Sequence, residues 1–165
     1  MEASRAKTNA SFNVWQNCIR QINAGSVSGG RAVAILLSED YWLSRLYPDQ
    51  IKSVADYVRL AHQIWEVVGP LVTDVLNAGV SVVLDFPANT PEDRQWLRGL
   101  ADAVEVSHCV HYIEVDYDTC RGRLHLRNGR AEHEFAATDA EFDLITSYFR
   151  TPEEQEGLQI KIHRL

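Results

Sequence analysis

The stretch Val80-Ser81-Val82-Val83-Leu84-Asp85-Phe86-Pro87-Ala88-Asn89-Thr90-Pro91-Glu92-Asp93-Arg94 decides how the chain is read. β-Branched and other apolar residues dominate the run up to Asp85, as in a strand buried on both faces. Thr90 then has the form of a helix N-cap, with Pro91 at the first helical position and Asp93 three residues after the cap. Asp85 is thereby placed at the carboxyl end of a buried strand, just before a helix. Open α/β sheets bind their ligands at that edge.

Upstream, the apolar run from Ala32 to Leu37 ends in Ser38-Glu39-Asp40, a second strand closed by acids. Residues 41–47 predict one or two helical turns, stopped by Pro48-Asp49. Ser53 opens a long helix, with Asp56 completing a start of capping-box type. Val54, Tyr57, Val58, Ala61, Ile64, Trp65 and Val68 recur at helical spacing, and Leu71, Val72, Val75 and Leu76 resume the stripe. Gly69-Pro70 predicts a kink or a division between the two parts, and Gly79 a C-terminal cap.

Downstream, the Thr90-capped helix runs towards Ala103, and residues 108–115 form a third strand. Asp118 opens a helix that ends near Asn128-Gly129. Thr138 and Glu141 start another, and residues 158–162 alternate like a terminal strand. Strands alternating with helices predict βαβ units and a mainly parallel sheet, an α/β fold. The beginning of the chain differs: residues 11–22 read as a short helix with no strand before it, and 24–30 as a Gly/Ser-rich linker. The expected organisation is an irregular segment over residues 1–31 and one α/β domain over residues 32–165.

The 165 residues carry a net charge of −7, which opposes broad nucleic-acid or anionic-membrane binding through overall charge. No apolar run reaches the roughly 20 residues of a membrane span, and the first residues lack the apolar core of a secretory signal. Cys18, Cys109 and Cys120 show no CxxC spacing and fit reduced thiols, hence a cytoplasmic setting. His108 and His111 point to opposite faces of their strand, a poor start for a metal site. Trp42, Trp65 and Trp96 stand at apolar positions and read as core anchors.

Three groups of residues carry a resemblance: Ser38-Glu39-Asp40-Tyr41-Trp42-Leu43, then Val82-Val83-Leu84-Asp85-Phe86 with Asn89-Thr90 and Arg94, then Arg123-Leu124 with Arg127-Asn128. Together, in that order and spacing, they resemble bacterial P-loop ATPases of the AAA-domain, zeta-toxin-like kinase group. Polynucleotide kinase and chloramphenicol phosphotransferase are relatives in the wider P-loop kinase class. The resemblance implies a three-layer fold whose five-stranded parallel sheet carries a phosphate loop after its first strand. It implies ATP and Mg²⁺ as cofactors and phosphoryl transfer to a small hydroxylated substrate. Asp40 matches the acid that orients or deprotonates the acceptor hydroxyl, and Asp85 the acid near the metal or substrate. Arg94 matches a substrate-side arginine, and Arg123 and Arg127 the lid arginines that meet the nucleotide phosphates. The lid itself would span residues 128–137. Arg123 and Arg127 lie four apart on a helix, so one anion can engage both.

One part of the pattern is missing. The sequence has three lysines, Lys7, Lys52 and Lys161, and none follows a glycine, so no G-x-x-x-x-G-K-[S/T] exists. The first strand is equally unrecognisable, and the fold is expected to lack both or to carry them in degenerate form. Two functions follow as expectations. One is a degenerate or truncated ATP-dependent phosphotransferase; the other is a non-catalytic pseudo-kinase that binds a ligand or a protein.

Trp15-Gln16-Asn17-Cys18 can only be encoded TGG-CAR-AAY-TGY. Read one base later, that DNA encodes Gly, then Lys or Arg, then Thr or Ile, a little over twenty residues before Ser38, where the family's G-K-T belongs. Ala10, encoded GCN, yields no glycine in the same offset, so the match is partial. The match is either a coincidence or the trace of a frameshift, and sequencing the gene and its upstream DNA decides, because only a frameshift leaves a phosphate loop in an offset frame. Absence of the loop from every frame refutes this origin.

Overall fold

The computed structural model describes residues 9–14, as backbone, and residues 34–130 and 137–164. Five strands form one parallel sheet: β1 (Asn9–Val14), β2 (Ala34–Ser38), β3 (Ser81–Asp85), β4 (Ser107–Glu114) and β5 (Ile160–Arg164), in the order β2-β3-β1-β4-β5. The helices are α1 (Glu39–Leu46), α2 (Val54–Asn77), α3 (Pro91–Asp102), α4 (Tyr117–Arg130) and α5 (Asp139–Tyr148).

The expectation of a missing first strand does not hold. Asn9–Val14 lies at the centre of the sheet, with Phe12 in register with both Leu84 of β3 and Val110 of β4. This also replaces the helix expected over residues 11–14 and puts a strand inside the segment read as irregular. The rest of that helix and the linker at 24–30 lie outside the described residues.

Two helices cover one face of the sheet. Leu60, Ile64, Val68, Val72 and Leu76 of α2 and Leu97 and Leu100 of α3 belong to one core with Val82, Leu84, Val110 and Tyr112 of the strands. Full burial of each such side chain contributes about 1.5–3 kcal/mol. Alternation along β4 turns Ile113 the other way, into a second cluster with Leu124 of α4 and Phe142 of α5.

Local signals explain the boundaries. The Thr90 side chain accepts from the Asp93 N–H while Asp93 caps the Thr90 N–H, and Thr138 with Glu141 repeats the device. Gly79 follows α2 at φ 81°, a left-handed conformation suited to glycine. Pro70 neither divides nor ends α2, which continues to Asn77. Pro70 and Glu66, whose carbonyl loses its partner, are both exposed, so water can serve that carbonyl. Cys120 is disulfide-bonded, against the expectation of reduced thiols, and Cys109 is free.

Arg94 is expected to face a substrate, and the structure puts it elsewhere. Its side chain is fully buried, with Nε and Nη2 donating to Glu156 at 2.6 and 2.7 Å. Nη1 donates to the carbonyls of Ala88 at 3.1 Å and Arg150 at 2.9 Å. Four of the five guanidinium N–H groups are thus spent on the fold. In Arg94→Met, Glu156 keeps its charge without its partner. Urea denaturation is expected to show a loss of about 3–5 kcal/mol, whereas a loss below about 1 kcal/mol would place this pair among ordinary surface bridges.

Candidate functional site at the carboxyl edge of the sheet

Because all strands run parallel, the ends of β2 and β3 reach the same edge. Ser38 and Asp85 are the last paired residues of the two strands. The Ser38 hydroxyl donates to Asp85 Oδ2 at 3.2 Å. Ser38 is also the N-cap of α1, yet its side chain makes no capping bond. The hydroxyl that could have capped the helix holds the carboxylate instead.

Helix α1 begins at once, so Glu39 and Asp40 occupy its first turn, where the helix dipole favours negative charge. The two acids meet different surroundings. Glu39 is only 1% exposed, whereas Asp40 is partly exposed. From α2, the Trp65 indole N–H donates to Glu39 Oε2. The Tyr57 hydroxyl lies 2.7 Å from Glu39 Oε1 and 2.9 Å from Asp40 Oδ1. Burial pushes the Glu39 carboxyl up to about 7, although the bonds from Trp65 and Tyr57 pull the other way. Burial likewise raises the Tyr57 phenol well above its ordinary value, so it stays protonated. Burial also raises Asp93, the capping acid of α3. Trp65 stacks on Trp96 with ring centroids 4.6 Å apart, which fixes the indole that holds Glu39.

Helix α4 starts three residues after β4 ends and carries the lid arginines. Arg121 pairs with Asp139, and His125 Nε2 lies 2.6 Å from the same carboxylate, which ties α4 to α5. These two bonds hold the Asp139 carboxyl below the usual carboxylate range. Arg123 differs: its Nη1 is buried and finds no hydrogen-bond partner among the described residues. Arg127 lies one turn further along α4, and its side chain is outside the described residues. Asn128 Nδ2 donates to the Ala137 carbonyl at 2.8 Å and joins the two ends of the expected lid. Residues 128–130 are helical, and residues 131–136 lie outside the described residues.

The structure therefore brings Ser38, Asp85, Glu39 and Asp40 to one sheet edge and commits Arg94 to the fold. Glu39 escaped the sequence reading. Its signal was an acid one residue before Asp40, with Tyr57 and Trp65 spaced on the facing helix.

The donor set fits part of a nucleotide. An unpartnered buried guanidinium nitrogen suits an anion, and Asp85 offers a carboxylate of the kind Mg²⁺ uses together with phosphates. Among the described residues no group of three or more metal-ligating side chains occurs. The pattern G-x-x-x-x-G-K-[S/T] does not occur in the sequence, and residues 15–33, which follow β1, lie outside the described residues.

The sequence model of the AAA domain family matches residues 16–152. The chain belongs to this family. No curated protein matches its sequence. Among solved structures it is similar to a candidate kinase from Chloroflexus aurantiacus, at 12% identity and a TM-score of 0.66 over 98% of this chain and 87% of that one. It is also similar to the Mycobacterium tuberculosis APS kinase CysC, solved with AMPPNP and APS, at 12% identity and a TM-score of 0.53 over 96% of this chain and 87% of that one. The AAA domain assignment and these neighbours establish the P-loop kinase-like α/β fold. No helix among the described residues is long and apolar enough to cross a membrane.

Glu39 makes stability depend on pH. Below about 4.5 the folded and unfolded chains both hold its proton, and between that value and about 7 only the folded chain does. Stability from this group is therefore lost as pH rises through that window, on the order of 3 kcal/mol. Thermal melts should show Glu39→Gln more stable than the parent at about pH 8 and the difference largely gone at about pH 4. Equal stability of the two proteins at both pH values would contradict a buried, neutral Glu39.

Proposed function

We propose that the chain is a degenerate P-loop kinase that keeps its acceptor side and its lid cations. In this reading Asp40 takes the proton of an acceptor hydroxyl on a small substrate. Asp85, oriented by Ser38, stands towards the metal or substrate. Arg123 and Arg127 meet the nucleotide phosphates. Arg94 acts through the fold, because its donors are already engaged by Glu156, Ala88 and Arg150.

ATP supplies the phosphoryl group when bound, and Mg²⁺ neutralises charge on its phosphates. Phosphoryl transfer depends mostly on positioning and charge, which these residues can assist from the acceptor side and the lid. Arg123 Nη1, buried and without a hydrogen-bond partner among the described residues, is the observation that carries the reading. The missing Gly-Lys-[Ser/Thr] favours a second reading, a non-catalytic protein that uses the same edge to bind a ligand or a partner protein.

Titration calorimetry with Mg-ATP is expected to give an affinity no tighter than high micromolar, on the order of −5 kcal/mol. The residual affinity should fall with salt and disappear in Arg123→Ala. Nanomolar binding would overturn the degenerate-kinase reading. Unchanged weak binding by Arg123→Ala would overturn the role given to that arginine.

A further inference from the structure

Two carboxyl groups flank one hydroxyl in this site. Tyr57 has one phenolic proton, yet its oxygen lies 2.7 Å from Glu39 and 2.9 Å from Asp40. A phenol donates one hydrogen bond and accepts others, whereas an indole N–H only donates. Trp65 occupies Glu39 Oε2 as a donor, so a proton held by Glu39 belongs on Oε1, the oxygen facing Tyr57. We infer that Glu39 is a positioning residue for Asp40: as a neutral acid it donates from Oε1 to Tyr57, which turns its own O–H onto Asp40 Oδ1. This rests on the reading of Asp40 as the acceptor-side acid.

The chain of bonds has a direction and a switch. With Glu39 protonated, the order is Glu39 to Tyr57 to Asp40, and each oxygen pair is joined by one proton. When Glu39 ionises, its proton leaves to solvent and the Tyr57 O–H turns to the new buried charge. Asp40 then loses that donor. The charge of Asp40 in turn makes ionisation of Glu39 harder, as does the more distant Asp93 on α3. Tyr57, Trp65 and His62 are the groups presented by α2, and the His62 ring lies 5.6 Å from Trp65.

The test is an NMR titration of the Trp65 indole N–H resonance from about pH 5 to about pH 9, in the full chain without nucleotide. The exposed His62 ring lies 5.6 Å from that of Trp65, so the series is run in a His62→Gln background. One step with a midpoint near 7 is expected. Glu39→Gln should abolish it. Asp40→Asn, on a partly exposed residue, should move the midpoint down by removing the neighbouring charge, and Tyr57→Phe should reduce that coupling. A step that survives Glu39→Gln, or a midpoint that Asp40→Asn leaves in place, overturns the relay. Because no ligand is involved, failed nucleotide binding leaves this result standing. A failed titration beside intact nucleotide binding removes the relay alone.

Discussion

The buried guanidinium of Arg94 is the interaction on which the arrangement around the sheet depends. It joins α3 to the loop after β3 through Ala88 and to the segment between α5 and β5 through Arg150 and Glu156. A buried charge left unpaired would cost several kcal/mol, so these segments are held in mutual register. The loop so fixed begins one residue after Asp85. The direction in which that acid leaves β3 is therefore set in part by an ion pair outside the proposed site.

At the carboxyl edge the same chemistry takes two forms. Asp85 and Asp40 are partly exposed acids, whereas Glu39 is withdrawn and its carboxyl is pushed up to about 7 by burial. Ser38 and Tyr57 are the hydroxyls that orient the two exposed acids. Two neighbouring acids in the first turn of α1 thus meet different surroundings, one buried and one partly exposed. On α4, Arg121 pairs with Asp139 while Arg123 Nη1 has no partner among the described residues, a division that spacing on the helix does not reveal.

Much of this was legible in the residues. The Thr90 and Thr138 capping boxes marked their helices because each device is local, needing only four residues of sequence. The apolar run before Asp85 marked β3 because a strand buried on both faces has little room for charge. β1 was not legible, since Asn9-Ala10-Ser11-Phe12-Asn13-Val14 is poor in the β-branched residues that usually announce a central strand. Its place comes from pairing with β3 and β4, which is tertiary information. The burial of Arg94 is tertiary information in the same way, since its partner Glu156 lies 62 residues away. Pro70 suggested a break that did not occur, because its unpaired carbonyl partner faces solvent.

A backbone amide NMR map of the protein titrated with Mg-ATP tests the account most directly, because it reports where a ligand sits and not only whether it binds. The account predicts shifts concentrated on α4 around Arg123 and at the ends of β2 and β3, near Ser38 and Asp85. Shifts centred instead on the apolar groove lined by Trp42, Leu46, Ile64 and Val67 would contradict it, as would an unchanged spectrum at millimolar nucleotide.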